Sequence, residues 1–414
     1  MSESFLNPDK KKSVNWDKTE NIFIEGDNLD VLKVLQKTYC EKIRVIYIDP
    51  PYNTGKNFVY NDTHKDWQDM VAPRLEIAQK LLTKDGVIFI SIDENEVCNL
   101  RIVCDKIFGK ENYITTFIWE KTQHFGRQKL NAYSNAEYIV CYAKELYNNK
   151  IKELLVEKIS FDMLDAPLFN ASNRITEITF PKHTVKFNLP DGIYKKTTSD
   201  LYELLSQVKV ANGKNANDFI LRFRSRWSAE KVLTEIKKGT TFHVKTEAFA
   251  VRAVYPEGKY TKIAPKQMIF TNPKNVHCTY SRFGERVTTN ETAKSELRKI
   301  LGGDIFDYPK PLSLISYLLS MIFNESEDTF AKEFTVLDFF SGSGTTAHAC
   351  MHLNSLDGGK RKFIMVQKPE LIKNPDKKFK TLCDIGQERI KIAGLEIAKK
   401  YDSVDTGFRV YKLD

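Results

Sequence analysis

The chain has 414 residues, 42% hydrophobic and 12% aromatic, with 63 Lys+Arg against 54 Asp+Glu for a net charge of +9. That is material for a large core and more than one domain, and it excludes a disordered chain, a collagen-like chain and a small disulfide scaffold. The seven cysteines are scattered and form no C-x-x-C pair, which fits reduced thiols in a cytosol. No apolar run reaches the ~18 residues of a membrane span, and the polar segment Met1–Glu20 lacks the apolar stretch of a secretory signal.

Strands and helices alternate from the start. Asn21–Glu25 (NIFIE) reads as a strand and Asn28–Lys37 as a helix. Arg44–Ile48 (RVIYI) is a β-branched run stopped by Asp49-Pro50-Pro51. Gln68–Leu82 has helical spacing, with Pro73 as a kink or late start. Val87–Ile92 reads as a fully buried strand, and Glu94–Phe108 as a helix with Asp93 and Glu96 as its capping box. Thr115–Trp119 and Glu137–Tyr142 read as two more strands. The rhythm then lapses into short mixed stretches, with turns at Pro190-Asp191-Gly192 and Pro256-Glu257-Gly258 and one helical run near Ser228–Lys238. It returns at Pro311–Phe323 (helix), Phe334–Phe340 (strand), Thr345–Asn354 (helix), Lys362–Gln367 (strand) and Asp384–Tyr401 (helix). Repeated β-α units predict an α/β protein with a mostly parallel sheet covered on both faces, interrupted by a partly β module. The expected divisions are 1–150, 151–290 and 291–414.

Charge follows the same division. Residues 1–150 hold 21 basic and 22 acidic residues, 151–290 hold 23 and 14, and 291–414 hold 19 and 18. The positive excess therefore lies in the middle, where Phe219-Ile220-Leu221-Arg222-Phe223-Arg224-Ser225-Arg226-Trp227 interleaves arginines with aromatics. Such a segment suits a polyanion surface, and strand alternation puts Arg222, Arg224 and Arg226 on one face. The competing reading is a structural strand whose arginines satisfy acidic neighbours. Lys121, Arg127 and Lys129 form a second basic stretch.

Two motifs carry chemistry. In Phe334–Thr346 a strand runs through Asp338 and Phe340 into Ser341-Gly342-Ser343-Gly344-Thr345 and a helix. Glycines at that bend let a ligand approach the backbone, and ligands of parallel sheets sit outside the strands' carboxyl ends. The turn lacks the third glycine of the dinucleotide fingerprint and the G-K-[ST] of a phosphate loop. In Val45–Asn53, Asp49-Pro50-Pro51-Tyr52 also ends a strand. The prolines fix the backbone, so a carboxylate and rigid carbonyls form acceptors for an amino group, with Tyr52 offering a face to a base. His348 and His352 are four apart but lack the Glu of a zincin, and no metal is expected.

Together the motifs resemble S-adenosylmethionine-dependent DNA amino-methyltransferases. Their order resembles the β-class, a permuted Rossmann-like fold with a seven-stranded sheet and an inserted target-recognition module. The resemblance spans nearly the whole chain, including Ile24-Glu25-Gly26-Asp27-Asn28-Leu29 and Tyr308-Pro309-Lys310-Pro311-Leu312. The string Asp49–Asp62 looks most like modification subunits of type III restriction–modification systems; the small middle segment leaves a stand-alone enzyme open.

The resemblance implies that Asp338, Phe340, Ser341, Gly342, Ser343, Gly344 and Thr345 hold the methionine part of the cofactor. Lys310 and Pro311 would close over it, with Lys310 at its carboxylate. Asp27 would reach the adenine, and Glu370, with Gln367 as fallback, the ribose hydroxyls. Asp49 and Pro50 would accept hydrogen bonds from the target amino group and Tyr52 would stack on a flipped base. Adenine-N6 is the expected target; Asp rather than Ser at 49 favours it over cytosine-N4. An inactive DNA-binding subunit is the alternative from another class. The resemblance also implies double-stranded DNA as substrate and a bacterial cytoplasm near the nucleoid, and leaves a restriction subunit and a homodimer open.

Overall fold

Ile43–Ile48 buries all six of its residues, which only a central strand covered on both faces satisfies. In the computed structural model this run is β3 of a ten-stranded sheet. The structure describes residues 5–55, 62, 66–124, 132–146, 153–162, 165–256, 259–372, 375 and 378–414. Two units form: Met1–Lys158 with Ala264–Asp414, and Ile159–Ile263.

In the first unit we label the strands of the large sheet β1 (Leu6–Pro8), β2 (Ile22–Glu25), β3, β4 (Leu82–Ile92), β5 (Tyr113–Glu120), β6 (Ala136–Ala143), β7 (Met268–Ile269), β8 (Thr335–Asp338), β9 (Lys362–Gln367) and β10 (Arg409–Leu413). The main helices are α1 (Asn28–Tyr39), α2 (Trp67–Leu81), α3 (Val97–Phe108), α4 (Asn290–Leu301), α5 (Leu312–Ser320), α6 (Thr345–Asp357) and α7 (Leu382–Ala398). The sheet order is β1-β10-β2-β9-β8-β3-β4-β6-β5-β7. From β10 to β4 every pairing is parallel, and β6 joins β4 antiparallel.

Alternation along the strands builds the two cores. Val45 and Tyr47 of β3 join Val336, Phe363 and the buried faces of α5, α6 and α7. Ile46 and Ile48 face the other way, with Leu337, Ile364 and the apolar stripes of α1, α2 and α3. Neighbours β8 and β3 start crossovers that diverge: β8 leads through α6 to β9, β3 through α2 to β4. The gap between them is the topological switch point, where the carboxyl ends leave a crevice.

Some boundaries differ from the sequence reading. α2 begins at Trp67 and runs through Pro73. α3 begins at Val97, and Glu96 makes no side-chain cap. Asp93 instead accepts the Asn95 amide at 3.0 Å, a local turn that competes with the helix. The capping box lies on α7, between Thr381 and Asp384. Among the described residues no helix is long and apolar enough to cross a membrane.

The second unit is shorter than the expected 151–290 segment, and holds 17 basic against 11 acidic residues. It carries a seven-stranded and a three-stranded sheet, the helix Ala229–Lys237 capped by Ser228, and its own aromatic core around Phe180, Phe219, Phe223 and Phe242. A separate two-stranded sheet pairs Lys158–Asp162 with Lys259–Ile263, where the chain enters and leaves the unit.

Candidate active site

The carboxyl ends of β2, β9, β8 and β3 open onto one cavity of about 190 Å³. After β2 come Asp27 and Asn28, after β3 Asp49 and Pro51, after β8 Phe339, Phe340 and Gly342, and β9 ends in Gln367 with Glu370 beyond. Asn28 ties two of these ends together: its amide donates to the Phe339 carbonyl at 2.9 Å and its oxygen accepts from Arg74 Nε at 2.6 Å. The distant motifs are thus brought to one place.

The loop after β3 is held from outside. Trp67 Nε1 donates to the Pro51 carbonyl at 2.7 Å, and Asp62 accepts the Tyr52 and Thr54 amides at 2.9 and 2.7 Å. Asp49 is 27% exposed, and Lys310 Nζ reaches both its oxygens at 2.8 and 2.9 Å. The Tyr52 hydroxyl donates to Asp49 Oδ1 at 2.7 Å. Burial raises the Asp49 pKa, with Lys310 and Tyr52 opposing and Glu137 adding to the rise. Burial alone would lower the Lys310 pKa; the charges of Asp49 and Glu137 reverse this and raise it.

The expected place of Lys310 is at a cofactor carboxylate. Here a 7%-exposed ammonium takes Asp49 as its counter-charge and lies 5.0 Å from the Tyr52 ring centre. The Tyr52 face expected to receive a base is therefore beside this cation, and Tyr52 does not line the cavity.

The glycine turn divides into a front and a back. Phe340 and Gly342 face the cavity. Gly342 has φ +50°, a Cβ there would stand 3.3 Å from Phe306, and its amide donates to Gln367 Oε1 at 2.8 Å. Asp338 is behind: it accepts from the Phe340 amide at 3.0 Å and the Thr346 hydroxyl at 2.6 Å, and burial pushes its carboxyl up to about 7. Ser343 and Thr345 are buried against Arg389, whose Nη1 donates to both hydroxyls. Gly344 is required by packing, since a Cβ there would meet the Gly386 carbonyl at 2.9 Å. Ser341 is buried with no hydrogen-bond partner for its Oγ among the described residues. Pro311 caps α5 beside Lys310.

Of the sugar-end candidates, Glu370 lines the cavity, while Gln367 is engaged by Gly342. Asp27 caps α1 and stands 3.6 Å from both Arg74 and Lys368. Sequence reasoning misses Arg74, Phe306, Arg389 and Glu137; each lies in a helix, strand or loop whose local pattern reads as ordinary packing.

The basic candidates fare unequally. Phe219, Leu221 and Phe223 point into the second unit's core, while Arg222 and Arg224 share the outer face. Arg222 is clamped by Glu177 at 2.7 Å and Glu203 at 3.0 Å. Arg224 is exposed and donates to the Asn173 carbonyl at 2.8 Å; Arg226 is exposed beyond the strand's end. Lys121 pairs with Glu137 at 3.4 Å. Arg127 and Lys129 lie outside the described residues.

A family described as DNA methylase (N6_N4_Mtase) matches residues 43–393. The chain is 28% identical over 444 residues to the type III restriction–modification enzyme StyLTI Mod subunit of Salmonella typhimurium, covering 95% of this chain and 60% of that one. It is 31% identical over 432 residues to the EcoPI Mod subunit of Escherichia phage P1, covering 92% and 61%. It is 30% identical over 394 residues to the type II methyltransferase M.KpnI of Klebsiella pneumoniae, covering 89% and 85%. The chain belongs to the DNA methylase family. It spans about three fifths of the two Mod subunits.

Two outcomes are expected. Gly342→Val should abolish ligand binding in the cavity by pushing on Phe306, with some loss of melting temperature from its φ of +50°. Gly344→Val should lower the melting temperature further, because its φ is +77° and its clash is with backbone; calorimetric titration with S-adenosylmethionine beside thermal melts checks both. Asp338 has a folded pKa near 7 against 3.8 unfolded. A raised carboxyl favours folding below the unfolded value and loses that contribution as pH rises through the folded one. Asp338→Asn retains an acceptor for Phe340, so its melting temperature should gain on wild type from about pH 4 to about pH 8.

Proposed function

We propose that this chain transfers the methyl group of S-adenosylmethionine to the exocyclic N6 of adenine in double-stranded DNA, after the base is flipped out of the duplex. The observation that carries the reading is the meeting of Asp49 and Pro51 with Phe340 and Gly342 on adjacent strand ends around one cavity. Membership of the DNA methylase family supports it.

The residues present fit this cofactor. Asp27 and Glu370 offer carboxylates at the β2 and β9 ends for hydroxyl and amino groups, Phe340 offers an aromatic wall, and Gly342 leaves the space a Cβ would fill. When bound, the cofactor supplies an electrophilic methyl on a positive sulfur. The adenine amino nitrogen is a poor nucleophile because its lone pair is delocalised into the ring. Asp49 and the Pro50 carbonyl would accept its two hydrogens as it becomes tetrahedral, aligning the lone pair and stabilising the developing positive charge. For that, Asp49 must exchange part of its bonding to Lys310 and Tyr52 for bonds to the amino group. Asp49 supports adenine over cytosine-N4, which shares the chemistry. DNA affinity is assigned mainly to unit Ile159–Ile263, which holds most of the net charge. A cognate restriction subunit, a homodimer and a cytoplasmic setting near the nucleoid belong to the same proposal.

Asp49→Ala should lower methyl transfer to an adenine-containing duplex by on the order of a hundredfold or more, while calorimetric cofactor affinity stays within about threefold. Loss of cofactor binding in a folded variant would move Asp49 into the cofactor pocket, and an unmethylated product from wild type with no cofactor binding would favour an inactive DNA-binding subunit. Because Arg222 is already neutralised by two glutamates, Arg224→Glu with Arg226→Glu is the informative pair. It should weaken DNA binding about tenfold or more and reduce the salt slope by about 0.9 for each phosphate no longer neutralised. Unchanged affinity and slope would move the DNA surface elsewhere, to the Lys121 stretch first.

A further inference from the structure

Glu137 is a buried acid that the chemistry above does not use. It is the second residue of β6 and is 7% exposed. A carboxylate so placed is costly unless paired, and its partners are informative. Glu137 Oε2 stands 3.3 Å from the Tyr52 hydroxyl and 3.5 Å from Lys310 Nζ, and Oε1 stands 3.4 Å from Lys121 Nζ. Asp49, Lys310, Glu137 and Lys121 therefore form a chain of alternating charge from the strand end to the more exposed Lys121, with Tyr52 a second bridge between the two acids.

We propose that Glu137 is the group that takes up the proton released by the methylated amino nitrogen, acting through the Tyr52 hydroxyl. This rests on the reading of Asp49 as the acceptor for the target amine. Methylation leaves the nitrogen with a positive charge and one hydrogen too many. That N–H bond breaks as an O–H bond forms on Asp49. Asp49 passes the proton to the Tyr52 oxygen as the phenol's own proton moves to Glu137. The nitrogen ends neutral, Asp49 and Tyr52 return to their starting states, and Glu137 carries the proton beside Lys121. A phenol has one proton to give, and the distances, 2.7 Å to Asp49 and 3.3 Å to Glu137, place it on the Asp49 side before the reaction. Lys310, within 3.5 Å of Glu137, stays between the acids throughout and keeps their combined charge low. Glu137 itself touches no reacting atom.

The test uses the full chain with S-adenosylmethionine and a duplex containing its methylation site. Glu137→Gln keeps the shape of the side chain and removes the acid; Tyr52→Phe keeps the ring and removes the relay. Each should lower the single-turnover rate on the order of tenfold or more, with cofactor and DNA affinities held within about twofold. The double variant should be no slower than the slower single, because both act on one path. The acid limb of the rate gives an independent readout. Asp49 is faced by Tyr47 of β3, by Tyr52, Lys310 and Glu137, and at longer range by Asp338. Glu137 is a like charge that makes Asp49 harder to ionise, so Glu137→Gln should move the acid limb to lower pH. Wild-type rates in either variant, losses that multiply in the double variant, a loss confined to affinity, or an unmoved acid limb would each overturn the relay. Should Glu137→Gln fail to fold, a wild-type rate in Tyr52→Phe would still overturn the relay. A wild-type chain that methylates no adenine would instead count against the proposed function.

Discussion

Lys310 closes on Asp49 across 261 residues of sequence, and the arrangement of the strand ends depends on that pair. A buried ammonium is tolerated only beside a fixed carboxylate, so the loop after β3 and the segment before α5 must be in register before either is stable. Asn28, Trp67 and Asp62 then hold the surrounding loops to the same geometry. The pair also sets the electrostatic tone of the crevice, because the buried ammonium at the end of β3 is spent on the acid assigned to the reaction, and any amine that binds Asp49 does so against that competitor.

The glycine turn answers to a different constraint. Its acid and the Ser343 and Thr345 hydroxyls face inward, toward Arg389, Thr346 and the Phe340 amide, so most of the motif builds the bend, and Phe339, Phe340 and Gly342 meet the cavity. Arg389, fully buried and pushed down to about 10 by that burial, directs its hydrogen bonds to two hydroxyls in place of a carboxylate. A motif that reads as a ligand cradle is for the most part the scaffold of one.

What was legible in the sequence follows from this. Strand ends marked by Asp49-Pro50-Pro51 and by the glycines are local signals, and β3, β8, α6 and β9 fall where the pattern puts them. The middle unit is partly β, but at Ile159–Ile263 it is shorter than the expected 151–290, and its alternating Arg–aromatic run serves its own core as much as its surface. Partnerships were not legible. Nothing near Glu137 in the sequence distinguishes it from an edge-strand acid, and nothing near Arg222 announces Glu177 and Glu203, because each partner arrives from a separate segment of the chain. The pattern Asp93-x-x-Glu96 misled for a local reason: Asp93 found a nearer amide in Asn95.

The strands Lys158–Asp162 and Lys259–Ile263 lie side by side as the chain leaves and re-enters the first unit. Paired strands run about 4.8 Å apart, so the points where the chain leaves and re-enters the first unit lie about one strand-width from each other. Closing a loop this long costs conformational entropy that grows only slowly with its length. The strand pair meets that cost at the neck of the insertion, holding together the two points where the chain departs from the first unit and returns to it.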